Sequence, residues 1–304
     1  MWIALALLAV LLCLGGAAVY LLHVPRRPVS VVEGTVAHRR LMVEEVTRDY
    51  DSYVPTDLVP DAPLVIALHG LRQTPASLRE LVGEALERQA RLCGFTVVYP
   101  AAIGTGWQSD VYGVADGAFI QALIAAVAAE HACDTERVFV LGYCSGGQLA
   151  AHLALTMPRH LAGVAVVAAS LPSTGVPAPS GGSVPIMIVN GTADRWVPFK
   201  GGEIGRFGDG LRGPVRSSKA TAEYFAKLAG ARLEQDEAQA DHLLPRLAPM
   251  RSTWSVGQEP AVVLYAVKGG GHVLHQPYAR QARWLGAMNP GFDVAAEACA
   301  FWRL

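Results

Sequence analysis

Six short apolar runs recur along the chain, and each has the length of a β-strand. The runs are continuous rather than alternating, as expected for strands that are covered on both faces. They comprise residues 64–68, 95–99, 138–141, 164–167, 185–189 and 262–266. Segments with helical spacing, such as 118–131 and 218–228, lie between them. This alternation predicts an α/β fold with a mostly parallel central sheet and helices on both faces.

The N-terminal part of the chain differs from the rest. Residues 1–22 carry no charged side chain, and about 20 apolar residues are enough to cross a bilayer as a helix. We therefore expect residues 1–24 to be an uncleaved membrane anchor, and a cleaved signal peptide ending near Gly16-Ala17-Ala18 is the alternative. Residues 25–38, which contain two prolines, are predicted to be a linker, and residues 39–304 a single globular domain.

The orientation of such an anchor stays open. Four arginines follow the apolar segment, at positions 26, 27, 39 and 40. The positive-inside rule would keep them in the cytoplasm, whereas export of the domain would place them outside.

Composition narrows the possible partners. A chain of 304 residues with 52% hydrophobic content can bury one large core. Its net charge of −1 gives no reason to expect a nucleic acid or another polyanion as a partner. The five cysteines have no metal-type spacing. Cys93 and Cys133 each precede a predicted strand and either pair or, as we expect, act as small buried hydrophobes.

The most informative motif is Gly-Tyr-Cys-Ser-Gly-Gly at residues 142–147. It follows an apolar strand and precedes a helical pattern, which is the context of a nucleophile elbow. In such a strained turn the residues two before and two after the nucleophile must be small. Gly142 and Gly146 meet this condition around Cys144, whereas Tyr143 breaks it for Ser145. The expected nucleophile is therefore Cys144, with Ser145 as the alternative.

An acid and a base follow the motif in the chain order that this chemistry requires. Asp194 lies in the loop after the strand that ends at Val189, where it could orient an imidazole. His272 follows three glycines after the last predicted strand, and His275 is the rival base. A nearby imidazole and the N-terminus of the following helix should lower the pKa of the Cys144 thiol.

The remaining candidates concern the oxyanion and the substrate. His69, Gly70 and Leu71 follow an earlier strand, so the backbone N–H of Leu71 is one expected oxyanion donor and that of Ser145 the other. His69 itself is expected to be structural. Trp107 is a candidate wall of the substrate pocket or a partly buried aromatic residue, and Trp196 and Phe199 are expected to pack.

The motifs together resemble the polyhydroxybutyrate depolymerase and feruloyl esterase type of α/β-hydrolase. The similarity extends from about residue 46 to the C-terminus and rests on residues 68–70, 118–124, 134–140, 142–147, 191–199, 269–272 and 292–293. The family usually has serine as the nucleophile and often a tryptophan soon after the base, where this chain has Cys144 and Val273-Leu274. The elbow itself is similar to that of dienelactone hydrolase, which uses a Cys-Asp-His triad.

The sequence therefore predicts a carboxylic-ester hydrolase, membrane-anchored or secreted, whose catalytic domain is extracytoplasmic. The expected partner is a small or polymeric ester substrate, and we expect that neither a cofactor nor a metal is needed. A dienelactone-type lactonase or a thioesterase is one alternative. A catalytically weak α/β-hydrolase domain that acts as a binding module is the other. The identity of the ester and the oligomeric state do not follow from the sequence.

Overall fold

The computed structural model describes residues 32–107, 113–205, 213–238 and 247–304, together with Gly15, Gly16 and Tyr20. The predicted anchor or signal segment, 1–24, otherwise lies outside the described residues and stays a prediction. Within the described part of the chain, no helix combines the length and the apolar character needed to cross a membrane.

Strands and helices alternate through most of the chain. The strands are β1 (Gly34–Val43), β2 (Val46–Pro55), β3 (Ala62–Leu68), β4 (Thr96–Pro100), β5 (Cys133–Tyr143), β6 (Gly163–Val167), β7 (Ile186–Gly191), β8 (Gly202–Glu203), β9 (Pro214–Val215), β10 (Arg232–Ala238), β11 (Pro249–Val256) and β12 (Glu259–Val267). The helices are α1 (Pro75–Val82), α2 (Ala85–Cys93), α3 (Gly113–His131), α4 (Ser145–Thr156), α5 (Ser218–Ala229) and α6 (Val294–Trp302).

Ten strands form one sheet in the order β1-β2-β4-β3-β5-β6-β7-β12-β11-β10. The six central strands, β4-β3-β5-β6-β7-β12, pair with one another in parallel. At each end of the sheet, two further strands are added by antiparallel pairing. The six central strands are the six apolar runs of the sequence. The predicted α/β fold with a mostly parallel central sheet is confirmed.

Helices cover both faces of this sheet, as predicted. Alternate side chains of each central strand enter two separate cores: Leu64 and Ile66 lie in one, and Val65 and Ala67 in the other. Helices α3, α4 and α5 close the first core, and α1, α2 and α6 close the second. Burial on both faces explains why the sequence of these strands is continuously apolar.

The strands at the two ends of the sheet were not predicted, and the first of them includes part of the predicted linker. Residues 34–38, assigned to the linker, form the first half of β1 and pair with residues 51–55 of β2. Most of β1 is exposed. Leu41 and Val43 near its end pack against the first core, and main-chain hydrogen bonds to β2 hold the rest of the strand. Part of the predicted linker, residues 34–38, therefore belongs to the sheet.

The four cysteines in the described part of the chain are free thiols. Cys133 and Cys299 are buried, and Cys93 is half-buried. The Cys93 thiol contacts Cys299, whereas Cys133 contacts Thr96. The alternative of a Cys93–Cys133 pair is therefore not seen. The carboxyl ends of β3, β5, β7 and β12 share one edge of the sheet, and this edge carries the motif residues.

Candidate active site

Cys144 occupies a sharp turn between β5 and α4. Its backbone dihedrals, φ 55° and ψ −116°, are strained for a residue with a side chain. A Cβ added at Gly142 would lie 2.1 Å from the carbonyl oxygen of Gly146, and one at Gly146 would lie 2.2 Å from that of Leu68. No side chain fits two residues before or two residues after Cys144, which is the steric pattern expected of an elbow centred on this residue.

Ser145, the alternative nucleophile, is the first residue of α4. Its side chain is buried, and its hydroxyl has no hydrogen-bond partner among the described residues. In particular, no described contact joins this hydroxyl to His272 or His275.

The glycine-rich loop after β12 brings His272 to the same edge of the sheet. The backbone N–H of His272 donates to the carbonyl of Leu285 over 2.7 Å, and the Tyr143 hydroxyl donates to the carbonyl of His272 over 2.9 Å. A Cβ at Gly271 would lie 2.2 Å from the Leu285 oxygen, so glycine is required there. The imidazole position is therefore fixed by backbone contacts on both sides.

Asp194, in the loop after β7, accepts three hydrogen bonds. Its Oδ1 accepts the backbone N–H groups of Trp196 and Val197 at 2.7 and 2.9 Å. Its Oδ2 accepts from Nδ1 of His272 at 2.8 Å, and both side chains are buried. With Nδ1 protonated and bound in this way, Nε2 is the nitrogen left for chemistry.

The Cys144 thiol interacts with the His272 imidazole and with the backbone N–H groups of Leu71 and Ser145. Burial raises the pKa of the thiol, but the charge of His272, its hydrogen bond and the two amides outweigh burial and lower it. Burial likewise lowers the pKa of His272, yet the Cys144 charge and the hydrogen bond to Asp194 raise it to about 10. The two opposite changes favour a thiolate–imidazolium pair.

His69 shapes the loop that carries Leu71. Its Nδ1 donates to the carbonyl of Gly70 at 2.8 Å, and its Nε2 accepts the backbone N–H of Ala102 at 3.1 Å. Burial lowers the pKa of His69, so it is neutral with both nitrogens occupied. This arrangement supports a structural role for His69 in holding the Leu71 amide.

Trp107 lies beneath the same loop and is almost fully buried. Its indole N–H donates to the backbone carbonyl of His69 at 2.7 Å. The ring centroids of Trp107 and His69 are 4.9 Å apart. These contacts explain its burial, and its role as a pocket wall stays a prediction.

His275, the rival base, faces a different part of the molecule. Its Nδ1 accepts the backbone N–H of Asn289 at 2.8 Å, and its ring packs against Phe292. Burial lowers its pKa to about 3. Of the two histidines, the structure therefore brings His272 to Asp194 and Cys144.

Two contacts at this site were missed at the level of sequence: the Tyr143 hydroxyl on the His272 carbonyl and the segment around Leu285 on the His272 amide. Neither has a sequence signature, because both join residues that are far apart in the chain. No group of three or more potential metal ligands occurs in the described part of the chain. The site places a thiol, an imidazole and two backbone N–H groups together, and these are the kinds of group that acyl transfer requires.

Comparison with known proteins finds similarity to esterases. Residues 49–178 match the family described as esterase PHB depolymerase. The inferred esterase NocK of Nocardia uniformis subsp. tsuyamanensis is 28% identical over 272 residues, which are 82% of this chain and 76% of that protein. A bifunctional acetylxylan esterase/xylanase of Neocallimastix patriciarum is 32% identical over 148 residues, 48% of this chain and 21% of that protein.

Feruloyl esterase B of Neurospora crassa is 32% identical over 119 residues, 36% of this chain and 39% of that protein. The chain thus spans less than half the length of these last two relatives. Among solved structures, the acetyl xylan esterase from Aspergillus awamori superposes with a TM-score of 0.61 at 17% identity, over 79% of this chain and 95% of that one. The likeness to this solved structure confirms the α/β-hydrolase fold. The family match and the relatives confirm the resemblance to this esterase family and the class of enzyme, a hydrolase that acts on ester bonds.

Proposed function

We propose that this protein is a carboxylic-ester hydrolase that works through an acyl-thioenzyme on Cys144. The observation that carries the proposal is the meeting of three groups at one thiol. The strained turn presents Cys144, His272 contacts its sulfur, and the amides of Leu71 and Ser145 point at the same atom. Asp194 holds the other side of the imidazole.

In the first half-reaction the thiolate attacks the ester carbonyl carbon, and the carbonyl electron pair moves onto its oxygen. The backbone N–H groups of Leu71 and Ser145 then bind this oxyanion, and each such donor typically contributes about 3 kcal/mol. When the tetrahedral intermediate collapses, the C–O bond to the alcohol breaks. The alkoxide takes the proton from Nε2 of His272, which leaves a thioester on Cys144 and a neutral imidazole.

In the second half-reaction the neutral imidazole removes a proton from water, and the resulting hydroxide attacks the thioester. Collapse of this intermediate releases the carboxylic acid and restores the thiolate–imidazolium pair. Asp194 keeps Nδ1 protonated throughout and stabilises the imidazolium, so it acts as a positioning residue. The preformed thiolate distinguishes this cycle from that of a serine hydrolase, in which the base must deprotonate the nucleophile during attack.

The proposed substrate is a small or polymeric carboxylic ester, in keeping with relatives named as a depolymerase and as a feruloyl esterase. Residues 1–24 are proposed to anchor or export the protein, with the catalytic domain on the extracytoplasmic side. The domain then extends from the start of β1 to residue 304.

The test is a p-nitrophenyl ester series of increasing acyl length, assayed with the full chain and three variants. We expect Cys144→Ala to abolish turnover. Ser145→Ala should keep most of it, because its contribution is a backbone N–H that alanine retains, and Cys93→Ala is the matched cysteine control. If Ser145→Ala were inactive and Cys144→Ala active, the assignment of the nucleophile would be wrong.

Other outcomes separate the alternatives. Turnover of a dienelactone without turnover of open-chain esters would favour the lactonase. Absence of turnover on every ester, thioester and lactone, with Cys144 no more reactive than Cys93 towards iodoacetamide, would favour the binding module.

A further inference from the structure

Two tryptophans lie side by side next to the His272 imidazole. The ring centroid of Trp196 is 6.3 Å from that of His272 and 5.3 Å from that of Trp284. The two indole planes meet at 66°, so the pair forms a corner with two aromatic walls. We call Trp196 and Trp284 the aromatic corner.

Backbone hydrogen bonds fix both walls relative to the imidazole. The N–H of Trp196 donates to Oδ1 of Asp194, the carboxylate that also holds His272. Trp284 lies in the short helical turn Arg283–Leu285, and the carbonyl of Leu285 accepts the N–H of His272 at 2.7 Å. The corner is therefore tied to the same groups that orient the imidazole.

Exposure shows that the corner is not part of the hydrophobic core. Trp284 is 44% exposed, among the largest apolar side chains on the described surface, and Trp196 is half-buried. Leaving an indole in water is unfavourable unless something covers it. A flat ring can stack on one wall and meet the other edge-on, which are the two arrangements that aromatic rings prefer.

We propose that the aromatic corner binds the alcohol portion of the ester and selects alcohols that carry a planar aromatic ring. The inference rests on the proposed function, since it assumes that His272 protonates the leaving oxygen. That oxygen must lie against Nε2 of His272, whereas the carbonyl oxygen lies at the amides of Leu71 and Ser145. A ring one or two bonds beyond the leaving oxygen then reaches the walls that flank the imidazole.

The test compares three esters of small size on the full-length protein. Benzyl acetate carries the ring on the alcohol, its isomer methyl phenylacetate carries it on the acyl group, and ethyl acetate has no ring. We expect Trp284→Ala to lower the ratio of kcat/KM for benzyl acetate over ethyl acetate about tenfold. Trp284→Phe should recover most of that ratio, because a ring is retained. Methyl phenylacetate over ethyl acetate should change less than twofold.

Val256→Ala is the matched control, because this side chain is 48% exposed and lies at the end of β11 that pairs with the start of β12, far from the carboxyl edge. Circular dichroism checks that each variant is folded, and the exposure of Trp284 makes its truncation mild. An unchanged benzyl-to-ethyl ratio in folded Trp284→Ala would overturn the inference while leaving the esterase proposal intact. A selective loss on methyl phenylacetate would also overturn it, by assigning the corner to the acyl group. If the wild type hydrolysed none of the three esters or the p-nitrophenyl series, the proposed function itself would fail, and the inference with it.

Discussion

Replacing His272 with glutamine tests the thiolate–imidazolium pair directly. Glutamine can still donate a hydrogen bond to Asp194, so the buried carboxylate keeps a partner, but it carries no charge. In the wild-type protein the charge of His272 holds the pKa of Cys144 below its usual range in spite of burial. Without that charge, burial dominates and raises the pKa of the thiol. The thiolate population at neutral pH should therefore fall.

The size of the effect follows from the coupling between the two side chains. The pKa of His272 rises from 6.5 to about 10, and the Cys144 charge and the hydrogen bond to Asp194 share that rise. Only the Cys144 share acts back on the thiol, and an opposite charge at contact distance typically changes a pKa by about 1 to 3 units. The thiolate population should therefore fall by about 10- to 1000-fold, and the higher intrinsic nucleophilicity of a more basic thiolate offsets roughly half of that change on a logarithmic scale. The net expectation is that alkylation of Cys144 at pH 7 falls by about 3- to 30-fold.

The assay is iodoacetamide labelling between pH 5 and pH 10, read by mass spectrometry of the cysteine peptides. Cys93 serves as an internal reference, because it is half-buried and burial raises its pKa, so its labelling should rise only at high pH in every variant. His275→Gln is the control substitution, since His275 has no described contact with Cys144. The reasoning is refuted if Cys144 in the wild type labels with the same pH dependence as Cys93. It is also refuted if the His272→Gln variant labels at the wild-type rate.

Three further predictions follow from other contacts. Cys144→Ser should hydrolyse simple oxygen esters at least as fast as the wild-type protein and should become sensitive to fluorophosphonates. Without the thiolate charge the pKa of His272 should fall, so kcat/KM should rise with pH through about 6 to 7. Gly142→Ala should abolish turnover and lower Tm, because its Cβ would lie 2.1 Å from a backbone oxygen. Gly117→Ala in helix α3, whose Cβ would make an ordinary van der Waals contact with the Met157 sulfur at 3.9 Å, should be neutral or stabilising by up to about 1 kcal/mol. Arg48→Met should lower the free energy of unfolding in urea by about 3 to 5 kcal/mol, since it leaves the buried Asp116 carboxylate without the guanidinium that now lies 2.7 Å away.

Local features of the sequence were sufficient to predict the six central strands and to place the candidate site residues after them. The six parallel strands are visible because burial on both faces requires unbroken apolar runs. The register of the elbow is visible because Gly142 and Gly146 flank Cys144, and a strained turn leaves no room for larger residues. The order of Asp194 and His272 after their strands follows from topology, since carboxyl ends of parallel strands share one edge.

Tertiary structure decided what depends on contacts between distant segments. Strand β1 is mostly exposed and is held largely by main-chain hydrogen bonds to β2, and such bonds do not depend on the polarity of the side chains. His272 and His275 lie in the same loop, and only the packing shows that one meets Asp194 while the other is buried against Asn289. The partners of His272, including Leu285 and the aromatic corner, are likewise invisible in the sequence. A contact between residues that lie far apart in the chain depends on how the whole backbone is arranged, and local residue patterns carry no record of it.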